Sequence, residues 1–283
     1  MSNFFRDSAN VRFYSFLTLV GILSLLSSAY VPPSAIESPG IHIPDPMVDI
    51  PWKSGVGYAG VANIRAAFNH GRIEENFQSG TDIPLITRMP AQSAWEAMSD
   101  NEKALWLINS EREVRGLHPL HGTERNVTGV AQDFANWMLA NDKWGHNSDG
   151  KGPPGRLEQN PAIAACHNNF LLMENLYAFG TTSGCVKSPI ARAIYNWMYN
   201  DSGKGWGHRH LLLYHSFFEN SGPGDREGLM GIGRARGGPY TINNTSYPYA
   251  EVIVLNMFDP CKKWSYNAPL GLPGIYYLRS RCT

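Results

Sequence analysis

The chain has 283 residues, of which 43% are hydrophobic, 17% charged and 12% aromatic, enough apolar content to bury a core and so to exclude global disorder. Lys plus Arg equal Asp plus Glu at 24 each, and no local basic block makes up for the missing net charge, which excludes nucleic acid and anionic membrane surfaces as partners. The 28 Gly and 19 Pro cluster outside the apolar-periodic stretches and predict long connections around a modest amount of regular structure.

At the start of the chain, Arg6 and Arg12 precede an uncharged apolar run from Phe13 to Leu26 that ends in Ser27, Ser28 and Ala29. This is the layout of a secretory signal peptide over residues 1–29, cleaved after Ala29. The competing reading is an uncleaved anchor, but the run is shorter than the ~20 residues a spanning helix needs. No second hydrophobic span follows, so no stable membrane span is expected after cleavage. From Tyr30 to about Pro90 the sequence is rich in Pro and Gly without sustained periodicity and reads as an extended arm reaching to residue 97, with a short helical patch over Val61–Glu75.

Regular structure is expected to begin at Ser99, whose hydroxyl can cap a helix while Glu102 reaches back to the cap amide, a capping box. That helix runs to about Arg115 and stops at Gly116. A second helix, about Gly129 to Asn141, carries the apolar stripe Val130, Phe134, Trp137 and Met138. A third opens with Ser188 as cap and Pro189 in the first turn and repeats the stripe with Ile190, Ile194, Trp197 and Met198. A short fourth helix starts near His208 and runs through Leu213. LMGIGRAR (Leu229–Arg236) and AEVIVLNMF (Ala250–Phe258) read as strands, and helices followed by strands predict an α+β fold with an antiparallel sheet. The main domain spans residues 98–260, and 261–283 form a tail.

Cys166, Cys185, Cys261 and Cys282 are the four cysteines, an even number that suggests disulfides in an exported chain. Of the three pairings, Cys166–Cys185 and Cys261–Cys282 each close a short loop and are preferred. No CxxC spacing supports a metal site built on thiolates.

Three segments hold titratable residues that packing alone would not require. His146 in GHNSDG follows the striped second helix and opens a Gly- and Asp-containing loop. Glu174 is embedded in the apolar run FLLMENLYAF, where a carboxylate needs partners because burying it alone costs several kcal/mol. His208 in GHRH begins a new apolar stretch. His210, two residues on, faces elsewhere on either a strand or a helix and is read as structural.

Taken in order, LINSEREVRGLHPL, VAQDFANWM, WGHNSDGKGPPGRL, ENL, the Trp-bearing helix, GHRHLLL and GIGRA resemble, segment by segment, the bacterial branch of the CAP superfamily, the SCP-like extracellular domain of cysteine-rich secretory, antigen 5 and pathogenesis-related proteins. The resemblance covers about Met98 to Phe258. It implies a three-layer α-β-α sandwich around a mainly antiparallel sheet, with a cleft where His146, Glu174 and His208 converge. Many eukaryotic relatives add a second glutamate where this chain has Asn200, and Asp201 beside it is the available substitute.

Three functions are consistent with these residues. His146, His208 and Glu174 resemble a His₂Glu metal set for zinc or calcium, and some family members bind metal at this His pair. As a hydrolase, the chain would use a histidine as general base oriented by Glu174, although no GxSxG elbow marks a nucleophile. As a binding protein, it would take a small apolar ligand, as the sterol and lipid binding of relatives implies, or a cell-envelope component, with the Gly237–Tyr249 loop as contact surface. A non-catalytic exported protein whose polar trio only fixes the core is the remaining alternative. Asn126, Asn200, Asn243 and Asn244 begin glycosylation sequons that matter only in a glycosylating source.

Overall fold

The computed structural model describes residues 43–165, 171–214, 228–260 and 264–268. The chain divides into two compact units, Met1–Ile43 and Pro44–Thr283, and the description concerns the second. The expected signal peptide, and Cys166, Cys261 and Cys282, lie outside the described residues.

In chain order the elements are α1 (Val61–Ser79), α2 (Gln92–Ala97), α3 (Asp100–Glu113), β1 (Gly122–Thr123), α4 (Arg125–Asn141), α5 (Gly152–Glu158), α6 (Pro161–Ala164), β2 (Leu171–Thr181), α7 (Pro189–Tyr199), α8 (Gly207–Leu212), β3 (Leu229–Gly237), β4 (Tyr240–Ile242), β5 (Thr245–Tyr247) and β6 (Tyr249–Asp259). The main sheet has the order β1-β3-β6-β2, parallel only between β1 and β3. Successive strand residues face opposite sides. On one side Ala250, Val252 and Val254 of β6 pack with Ala131, Phe134, Ala135 and Met138 of α4. Ile253 and Leu255, equally buried, face the other side. There α3 and α7 pack on the sheet, and Arg234, paired with Ile253, reaches Asp100 of α3. The result is the expected α+β, three-layer arrangement with a mainly antiparallel centre.

Local chemistry explains how closely the layers approach. A Cβ at Gly231 or Gly233 of β3 would collide with the α4 backbone at Thr128 and Ala131, so these glycines let helix and strand touch. Because β1 covers only the start of β3, the rest of that edge needs other partners. The Asn101 amide accepts from Ile232 N (2.9 Å) and donates to its carbonyl (3.3 Å), and Gln132 does the same for Arg234 (3.0 and 2.9 Å). Two side chains thus stand in for a neighbouring strand.

The Ser99 capping box forms as expected: Glu102 N donates to Ser99 Oγ (3.2 Å) and Ser99 N to Glu102 Oε2 (2.6 Å). The second helix starts a turn earlier than expected, at Arg125, with the Glu124 carboxylate accepting from Asn126 and Val127 amides. Ser188 precedes α7 but makes no side-chain cap bond and sits in the left-handed region with φ 51°. The segment Gly237–Tyr249, expected as a loop, contains the hairpin β4–β5, turned at Asn243 and Asn244 with φ of 49° and 64°, the pattern of a type I′ turn.

The helical patch expected over Val61–Glu75 lies within α1, which belongs to the compact unit with its charges buried against other helices. Arg72 donates to Glu111 Oε1 (Nε 3.1 Å, Nη2 2.8 Å). Glu75 accepts from Arg115 Nη2 and Arg209 Nη2, both at 2.5 Å. Glu111 also accepts from Arg115 Nη1 and the Tyr199 hydroxyl, both at 2.6 Å. Burial would raise the Glu111 pKa, but Arg72 and Arg115 outweigh it and hold the group at about 2. Burial first, and then the Glu111 charge, push the Tyr199 phenol far above its ordinary value.

Cys185 is exposed and forms no disulfide among the described residues, and Cys166, its expected partner, lies outside them.

Candidate functional site

The site is organised around β2, the edge strand of the sheet, and the turns that follow α4 and α7. After α4 the chain turns through residues 145–150, closed by Ser148 N to Gly145 O (3.0 Å) and Gly150 N to Asn147 O (2.9 Å). His146 is half-exposed on this turn, with 43% of its side chain accessible, whereas the Glu174 side chain is 1% accessible. His146 Nδ1 lies 2.8 Å from Glu174 Oε1. A carboxylate has no proton to give, so the imidazole donates from Nδ1, and in the neutral ring Nε2 carries the lone pair.

Glu174 is held from behind by Arg156 of α5. Arg156 Nη2 donates to both carboxylate oxygens (2.7 and 2.8 Å), while Nη1 donates to His146 O and Asp149 Oδ1, each at 2.9 Å. The guanidinium carbon sits 3.4 Å from the centre of the Phe134 ring. Burial opposes ionisation of Asp149, but the Lys151 amide and Arg156 hold its pKa below the usual value. One arginine therefore fixes the carboxylate, the histidine backbone and the loop.

A second imidazole–carboxylate pair stands on the α7–α8 side. Asp201 Oδ1 accepts from His208 Nδ1 (2.6 Å), and Asp201 Oδ2 accepts from the amides of His208 (2.9 Å) and Arg209 (3.4 Å). Asp201 thus neutralises the open amides at the start of α8 while orienting the first-turn histidine. Trp206, just before α8, holds a left-handed conformation with φ 61°, unusual for so bulky a residue. Asn175 of β2 donates to His208 O (3.0 Å), so adjacent strand residues, Glu174 and Asn175, anchor the two pairs.

The structure brings His146 and Glu174 into direct contact, as the sequence motifs imply. It joins His208 to Asp201 instead, the residue beside Asn200, while Asn200 itself only accompanies Asn196 at 2.9 Å. The expected His₂Glu ligand set is not assembled. Both Glu174 oxygens are occupied by Arg156 and His146, and among the described residues no group of three or more His, Cys, Asp or Glu is placed to hold a metal ion. His210 turns away and meets Asp45 through Nε2 (2.8 Å). Sequence reasoning missed the role of Arg156 and of the fully buried Arg209, which ties α8 to Glu75 of α1.

No protein-family profile and no curated protein matches the chain. Among solved structures the chain is similar to an extracellular protein containing an SCP domain from Bacillus anthracis str. Ames. The TM-score is 0.37 and the identity 18%, over 67% of this chain and 50% of that one. It is also similar to the CAP domain of Enterococcal PrgA, with TM-score 0.35 and 14% identity over 83% and 94% of the two chains. The chain spans half the length of the Bacillus protein.

Proposed function

We propose that this is a secreted binding domain of the CAP type whose site is the β2 edge, where His146 and His208 each present Nε2 as a ligand for a divalent cation, zinc before calcium. One observation carries the reading: each ring has its Nδ1 tied to a carboxylate, Glu174 at 2.8 Å and Asp201 at 2.6 Å. Histidines that ligate metals characteristically donate their other ring N–H to a carboxylate, which fixes the tautomer and strengthens the ligand. Each imidazole offers one ring nitrogen, a cation's remaining positions being taken by exogenous oxygens, and Glu174 orients rather than ligates. A cation there would supply a Lewis-acidic anchor for an oxygen of a cell-envelope component.

The same geometry favours a second reading, in which His146, oriented by Glu174, acts as general base on water in a hydrolase. Calorimetric titration of zinc, then calcium, into the parent protein and the His146→Ala and His208→Ala variants tests the first reading. Heat in the parent that disappears in both variants supports it. Silence in the parent, or heat unchanged in the variants, refutes it and leaves hydrolase assays as the next step.

A further inference from the structure

A cleft of ≈ 490 Å³, which shares Asp149 and Arg156 with the His146 site, opens between the middle of α4 and the segment from Asp149 to Pro161, within the ~300–1,000 Å³ of small-molecule sites. Its wall includes Gly129, in the interior of the 17-residue helix α4. Glycine there costs about 1 kcal/mol relative to alanine. No packing reason offsets that cost, since a Cβ at Gly129 would meet nothing within 4 Å. The missing side chain widens the cleft and does nothing else visible.

One helical turn and two turns along the same face stand Asp133 and Trp137. The Trp137 ring stacks on Phe134 (centroids 6.2 Å apart, planes 17°), and Phe134 is in turn covered by Arg156, so the platform is rigid. The half-buried Trp137 indole N–H has no hydrogen-bond partner among the described residues, although such groups usually find one. At the rim Lys151 Nζ donates to Gln159 Oε1 (2.9 Å), which leaves the Gln159 amide protons and the other ammonium protons unused. Asp149 already accepts from Arg156 Nη1 (2.9 Å) and the Lys151 amide (3.1 Å).

We propose that this cleft binds a short neutral oligosaccharide. An anion would meet the Asp133 carboxylate and a cation the Lys151 ammonium, while a purely apolar ligand would leave both charges, the indole N–H and the amide unpaired. A pyranose ring meets all of these demands. Its C–H face lies against an aromatic ring, and its hydroxyls both donate and accept at carboxylate, amide, ammonium and indole. The inference goes beyond the cation site, because none of Gly129, Asp133 or Trp137 belongs to either histidine pair.

The test titrates triacetylchitotriose and maltotriose into the protein, followed by tryptophan fluorescence and saturation-transfer NMR, up to about 10 mM, enough to saturate a Kd of ~1 mM. At least one sugar is expected to bind saturably. Gly129→Phe, which fills the cleft from its open wall, and Trp137→Ala should each weaken binding by at least about tenfold, or 1.4 kcal/mol. His146→Ala, which removes the cation site, should bind the sugar like the parent. Thermal melts identify any variant that fails to fold, and Gly129→Phe is expected to melt near the parent. Absence of saturable binding by both sugars, or undiminished binding in a folded Gly129→Phe, overturns the proposal.

Discussion

Arg156 reaches Glu174 through a single nitrogen, Nη2, which lies 2.7 Å from one carboxylate oxygen and 2.8 Å from the other, and this contact is buried behind the half-exposed His146. The carboxylate therefore has its charge balanced by Arg156 whether or not His146 is present. That division of labour separates residues that hold the fold from residues that face a ligand.

Arg156→Met should lower unfolding stability by about 3–5 kcal/mol, because it strips a buried carboxylate of its charged partner. His146→Ala should cost less than about 1 kcal/mol, since its side chain is half exposed and Glu174 keeps Arg156. Urea denaturation of the two variants measures both. A large loss in His146→Ala would instead favour a polar trio that only fixes the core.

Acid should destabilise the protein through Glu111. Its pKa is depressed to about 2 in the folded state from an ordinary 4.5, so its contribution is fully present above 4.5 and is lost as pH falls towards 2. The loss is on the order of 3 kcal/mol at about 1.4 kcal/mol per pKa unit. Melting temperature followed between those limits should fall more steeply in the parent than in Glu111→Gln, which is less stable at neutral pH and flatter in acid.

Removing α1 should abolish folding. A chain beginning at Met98, the expected domain boundary, leaves Glu111 without Arg72 and leaves Arg209 without Glu75. A chain beginning at Pro44 retains every one of these pairs. Circular dichroism melts should show a cooperative transition for the longer chain and none for the shorter.

The two serines before helices should respond in opposite ways. Ser99→Ala removes a formed capping box and should cost about 1 kcal/mol. Ser188→Gly removes no cap bond and relieves a left-handed conformation, so it should stabilise by up to about 1 kcal/mol. Equilibrium denaturation gives both signs.

These contrasts show what sequence could and could not display. The Ser99–Glu102 box and the α4 stripe were legible because the interacting residues lie within a turn or two of each other. Ser188 carries the same local signature as a cap, yet the path of the chain from β2 into α7 overrides it. FLLMENLYAF hid a strand because β2 lacks the alternation that marks a strand buried on one face only. The helical patch over Val61–Glu75 was legible, but the partners of Arg72 and Glu75 were not, since they stand 39 and 40 or more residues away. At the site, His146 and Glu174 followed from their motifs, whereas the Asp201–His208 pairing depended on how a seven-residue loop closes.

The central claim is that both imidazoles keep their proton on Nδ1 and offer Nε2. Long-range proton–nitrogen NMR on ¹⁵N-histidine-labelled protein, assigned with His146→Asn and His208→Asn, tests it directly. At a pH where the rings are neutral, the account predicts the Nδ1–H tautomer for both residues and a shift confined to Nε2 when zinc is added. An Nε2–H tautomer at either ring, or no change with zinc at both, would contradict it.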